Sequence, residues 1–450
     1  LQHIVNHGGP GFSRFHAKLQ SSTPKSSHII AVHKTSLHPL PTWKINKSTI
    51  VGNAEVDKAI VKELHLHHQS TTWMEYVCII AGDQLSIAWL RSLENIRAGH
   101  QGGYRGFSWG AWMPGLFHGK ITDMHGFFIT HWGKPNAGTR NPGCLSFHNT
   151  LLRHLPISLP SLPTFRICRD LVFVSLYARI LHCLLIVSGQ PDLDAYSQRV
   201  RDWETLEKHA TAIVNQFANP QRVANMRQER KDSGGDMILE NSILFLRDAL
   251  VSCEFTDAVK CGDSGQVVLV LKVWALGFRG NGHSKYAHKM LHFLHNISKV
   301  WPKKIVDIIL NNWLLNPSGC PNLFVEVDLV QEHTNFWIKV FYKAHGSNTT
   351  WEWLEMVSPC IYALRHLATS MRDLLGSNLG ARHCPPDLTR DINVLMKSLQ
   401  EHKVYKLVQG RKLNNDNPPV TDVIAAGLRS LLEGDALDNY NENFQNLQQR

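Results

Sequence analysis

The stretch IIAGDQLSIAWLRSL, residues 79–93, decides how this chain is read. An apolar, β-branched run, YVCII, reads as a buried strand, and Gly82-Asp83 turns it into the helix QLSIAWLRSLENI. Asp83 stands at the joint, where two readings meet. Aspartate is a favoured helix N-cap, worth about 1 kcal/mol, and needs no ligand to explain it. An acid at the carboxyl end of a buried strand also sits where α/β sheets place their ligands. Spacing favours the cap and leaves the ligand open.

The pattern continues outward on both sides. Upstream, VGNAEVDKAIVKEL predicts a helix over residues 53–66, capped by Ser48 or Thr49. Residues 1–50, rich in His, Pro, Ser and Lys, are expected to form an irregular basic segment with at most one strand, at HIIAVH. Downstream, glycines and prolines punctuate residues 99–145 around an aromatic run, so residues 51–150 form the first part of an α/β core. From 151 to 315 the periodicity is helical, with ILENSILFLRDALVS as the clearest case and MRQERKDSGGD as an exposed loop. Residues 316–408 supply further helices, including EVDLVQEHTNFWIKVFYKAH, and 409–450 are expected to be a polar, peripheral tail.

Bulk properties limit the classes of function. At 450 residues, with 43% hydrophobic and 19% charged side chains, the chain is long enough for more than one packed unit. Its formal charge of +10 is uneven: residues 1–150 hold 14 basic against 7 acidic side chains. That permits a polyanionic partner, with a solvated basic surface as the equal alternative. Nine scattered cysteines without a CxxC pair exclude zinc ribbons and disulfide scaffolds and fit an intracellular chain, with the nucleus compatible. Residues 171–189 are long enough to span a bilayer, but Arg179 would lie near the middle at a cost of about 2.5–3.5 kcal/mol, so the segment is expected to be a buried helix rather than a membrane anchor. No small-molecule cofactor fingerprint occurs in a fitting context, and nothing specifies an oligomer. Beginning on Leu1 and a loop-like HGGPGF, the sequence reads as a fragment.

Few side chains combine into chemistry by spacing alone. In DLVQEHTNFW, Glu332, Asn335 and Lys339 share a helix face, an arrangement that can bind Mg²⁺ or phosphate and equally describes any solvated face. His118 and His125 share a face of another helix, where a histidine is more often hydrogen-bonded structure than a ligand. HLHH at 65–68 is discounted, because neighbouring histidines on one helix do not converge on a metal.

Taken together, IIAGDQLSIAWLRSLENIRAG, WMPGLFHGKITDMHGFFITHWGKPNAGTRNPG, LNNWLLNPSG and VDLVQEHTNFWIK resemble a fungal, transposon-associated family catalogued as domain of unknown function 6589, over roughly residues 5–410. Its order of an acid after a strand, a His-bearing segment, a helical insertion and a late EHxNxW helix is similar to hAT-like transposases. The resemblance implies a predominantly helical α/β fold with an incomplete RNase H-like core interrupted by a large all-α insertion. It implies Mg²⁺-dependent DNA strand cleavage and transfer as the ancestral activity. Asp83 and Glu332 would be catalytic metal ligands about 4–6 Å apart, sharing cations ~3.5–4 Å from each other. His118, His125, His333 and Asn335 would support them, and Lys44, Lys47, Arg91 and Arg97 would meet nucleic acid.

The sequence also departs from the family. Members carry a first acid upstream that this chain lacks, and tend to carry acids where it reads INKS, with Asn46 and Lys47. A shell short of carboxylates loses charge and geometry, so the expectation is a transposase-derived protein that is inactive in this form. The competing expectation is a non-catalytic helical interaction or nucleic-acid-binding protein.

Overall fold

A computed structural model of the chain describes residues 1–66, 75, 77–99, 103–229, 235–377, 386–413 and 418–448. The fold is predominantly helical. His67 and His68 of the HLHH run, the middle of the 226–236 loop and Cys384 lie outside the described residues.

The opening stretch folds as its pattern predicts. Strand β1 is Cys78–Gly82, the Gln84–Arg97 helix follows, and strand β2, Gly110–Pro114, returns parallel to β1 with Gly82 opposite Pro114. Parallel neighbours need such a crossover, and the helix supplies it. Ile87, Leu90 and Leu93 on its inner face pack with Val61, Phe107, Trp109 and Trp112. Thr49 caps the preceding helix, Ile50–Glu63, by accepting from the Gly52 amide at 3.0 Å. Among the described residues the parallel sheet has only these two strands. A second pair, β3 (Leu314–Leu315) and β4 (Val325–Glu326), is antiparallel and leads into the Val327–His345 helix.

The largest core is helical. Helix Phe165–Ser188 is apolar on nearly all sides, as a helix enclosed by others must be, and stops at Gly189, whose positive φ of 65° suits a glycine there. It is long and apolar enough to cross a membrane by length and composition. Leu171, Leu176, Leu181 and Leu184 are buried against Ile243, Leu244 and Leu246 of helix Met237–Cys261, each such side chain contributing about 2 kcal/mol by leaving water. Arg179 is fully buried among them. Its guanidinium donates to Ser175 Oγ, the Tyr405 hydroxyl and the Gly143 carbonyl, and lies 3.8 Å from the Phe245 ring centre. Those partners are what a buried cation requires.

Two segments differ from the sequence reading. Residues 1–22, expected to be irregular, form Gln2–His7, a 3₁₀ turn Pro10–Phe15 and His16–Ser22, because Ile4, Val5, Phe12 and Phe15 find places in the main core. The segment from 409 onward is not peripheral throughout. Arg411 holds the buried Asp236 carboxylate with bonds of 2.8 and 2.7 Å. Helix Val423–Leu432 lies against helix Ser264–Gly280 at glycine distance: a Cβ on Gly427 would meet the Leu276 carbonyl oxygen at 1.9 Å. HIIAVH joins no strand, but Ile30 donates its amide to Gly262 at 2.9 Å and is buried.

Candidate functional site

The two parallel strands end side by side and set up a site at their carboxyl ends. Gly115, next after β2, donates its amide to the Gly82 carbonyl at 2.8 Å, and helix Leu116–His131 starts there. A Cβ on Gly115 would stand 2.5 Å from Asp328 Oδ2 and 2.8 Å from the Gly82 oxygen, so only glycine fits. Asp83 caps the Gln84–Arg97 helix, its Oδ1 accepting from the Ser86 amide at 2.7 Å. Its Oδ2 receives the Lys47 ammonium at 3.2 Å. Burial works against the charge on Asp83, but the Ser86 bonds and Lys47 outweigh it and hold the carboxyl below its usual range.

The third wall is helix Val327–His345. Asp328, buried in its first turn, reaches across to the start of the Leu116–His131 helix and accepts the free amides of Phe117 and His118, each at 3.0 Å. Its Oδ2 also accepts from His118 Nδ1 at 2.9 Å. Glu332, one turn on, brings Oε1 to 4.0 Å from His118 Nε2. The bond to Asp328 raises the His118 pKa against the effect of burial, and the charges of Asp328, Glu332 and Asp83 add to it. One imidazole therefore feels all three carboxylates, although Asp83 and Glu332 are far apart in sequence. Tyr286 feels the same charges: burial and then Asp83 and Asp328 raise its hydroxyl pKa, against a hydrogen bond with Thr122.

Asp328 was not singled out by sequence, although its signal was present. It stands four residues before Glu332 in VDLVQE, the spacing that puts two acids on one helix face. The other expected residues are placed separately. His125 pairs with His283 at 3.1 Å. His333 is exposed, with Arg365 and Glu326 as its charged neighbours, and Asn335 accepts from Gln331 at 3.0 Å. Of the basic residues, Lys44 is exposed near Glu352, Arg97 is exposed at its helix end, and Arg91 is half-buried beside Tyr440 and Glu94. Lys47 alone of these four reaches the carboxylates.

A family profile, described as a family of unknown function, matches residues 1–383. The chain belongs to the DUF6589 family. No curated protein and no solved structure matches it. In this DUF6589 protein the donor set can be tested for Mg²⁺, a hard ion that seeks oxygen ligands. Asp328 Oδ2 already accepts two hydrogen bonds and Oδ1 one. Asp83 Oδ2 and the half-exposed Glu332 carboxylate keep lone pairs. Asp83 already pairs with the Lys47 ammonium, and Asp328 and Glu332 lie against the His118 ring. Among the described residues these donors do not converge as a metal-binding group of three or more; a single ion would have only Asp83 and Glu332 from this set, and only if Lys47 swings away, and two ions do not fit.

Proposed function

We propose that this chain is a transposase-derived protein whose strand-end acids descend from a Mg²⁺-dependent DNA-cleaving centre, and that the centre now works as a single weak cation site without two-metal cleavage. The observation that carries this reading is that Asp83 and Glu332 act on one histidine, His118, at the carboxyl ends of adjacent parallel strands. Asp83 and Glu332 would hold the ion. A bound divalent ion supplies Lewis-acid stabilisation of a phosphoryl oxygen. His118, oriented by Asp328, presents Nε2 toward Glu332 and can hold a proton there. Lys47 occupies Asp83 in the ion's stead and weakens the site.

Titration with Mn²⁺ tests this directly, because a paramagnetic ion broadens nearby NMR signals. The His118 ring signals should broaden in the parent protein and stay sharp in the Asp83→Asn, Glu332→Gln double variant. No broadening at millimolar Mn²⁺ would end the proposal.

A second reading has its own support. Asp83 and Asp328 each satisfy free amides at a helix start, which is sufficient structural reason for both. On that reading Asp83 and Asp328 serve as caps in a non-catalytic interaction protein, and the same titration leaves His118 unaffected.

A further inference from the structure

A second group of ligating side chains lies in the helical core, outside the strand-end site. Cys253 and Asp257 are one turn apart on helix Met237–Cys261, and His3 comes from helix Gln2–His7. One donor atom from each lies within 4.8 Å of the other two, and Cys253 Sγ is 3.9 Å from Asp257 Oδ2. A tetrahedral zinc site with bonds of about 2.3 Å to sulfur and about 2.0 Å to nitrogen or oxygen has edges of roughly 3.5 Å. Closing the trio onto an ion therefore requires about an ångström of movement, which side-chain rotation supplies.

The surroundings suit a cation. Asp257 and Glu254 bring negative charge beside Cys253, with Lys260 opposing. The outer contacts are in place as well. Gln2 donates to Asp257 Oδ2 at 3.1 Å, the Tyr177 hydroxyl bonds Cys253, and the Tyr177 ring packs on His3 with centroids 5.2 Å apart. Partners of this kind orient metal ligands.

We propose that His3, Cys253 and Asp257 bind one zinc-class cation, with the fourth position open to water, and that the ion fastens the Gln2–His7 helix to the Met237–Cys261 helix. A thiolate, an imidazole and a carboxylate select zinc over Mg²⁺, so the site is independent of the strand-end acids. On binding, Cys253 loses its thiol proton to solvent and nothing is oxidised.

The test uses the full chain, stripped with chelator and reloaded with Co²⁺ as the spectroscopic stand-in for zinc. One equivalent should bind with a thiolate-to-cobalt charge-transfer band, and Cys253→Ser should abolish that band. If Cys253→Ser does not fold, His3→Gln keeps the thiol and should weaken binding by more than the roughly 10- to 100-fold typical of outer-contact changes. Absence of a stoichiometric ion, a band that survives Cys253→Ser, or unchanged affinity in His3→Gln would each overturn the proposal.

Discussion

Replacing Asp328 with alanine removes three hydrogen bonds at once: those from the Phe117 amide, the His118 amide and His118 Nδ1. Losing a helix-start cap costs about 1 kcal/mol. The Asp328 side chain is only 5% exposed, and hydrogen bonds to a buried charged group run at about 1.5–3 kcal/mol. The two effects overlap in the same bonds, so Asp328→Ala should destabilise by about 2–4 kcal/mol. Asp328→Asn keeps the volume and one oxygen and should cost about half as much. Urea unfolding gives these differences, and amide exchange at Phe117 and His118 should quicken first. The second readout is the His118 titration. Its folded pKa is raised above the unfolded 6.5, so its contribution to stability is complete below 6.5 and disappears as pH rises through the folded value. With asparagine at 328 the leading cause of the shift is gone and burial remains, so the pKa should fall and this pH dependence should shrink. A loss below about 0.5 kcal/mol in Asp328→Ala, well short of an ordinary cap, together with an unmoved His118 titration, would refute the reasoning.

Three other perturbations follow from the same geometry. Lys47→Glu should barely alter stability, because the Lys47–Asp83 pair is solvent-exposed and worth at most about 1 kcal/mol; calorimetry should show Mn²⁺ binding tightened by about 10- to 100-fold, from two units of added negative charge a few ångströms from the ion. Gly115→Ala forces a methyl against the Gly82 oxygen and the Asp328 carboxylate, so it should cost about 1–3 kcal/mol in urea unfolding and lower the His118 pKa by pushing Asp328 away. Arg411→Ala strands Asp236, which is fully buried, and should cost about 3 kcal/mol, the lower end for a broken buried pair, since the Ile238, Leu239 and Val408 amides still bond that carboxylate.

The parts of this fold legible in the sequence are those with a local signal. The change from a β-branched run to helical spacing across Gly82-Asp83 marks β1 and the helix after it, and Thr49 marks another helix start. Asp328 carries no distinguishing local signal of its partners: in sequence it is an acid in a first turn, where the helix dipole welcomes any carboxylate. Its actual partners are the first amides of a different helix, 210 positions upstream, and no local pattern announces such a pairing. The same holds for Arg411 with Asp236 and for the small apolar set Ile4, Val5, Phe12 and Phe15, which is too short to show a period and is explained only by the helices it joins.

The packing beyond residue 383, where the family profile stops, bears on how the protein can be handled. Leu395, Leu399 and Tyr405 fill the main core, Tyr405 is a partner of Arg179, and Gly427 seats a helix against Leu276. Cutting the chain at the profile's edge would uncover a guanidinium and a carboxylate that depend on those later residues. Such a fragment should aggregate or stay molten, and a recombinant version meant for crystals or assays should run at least through Leu432.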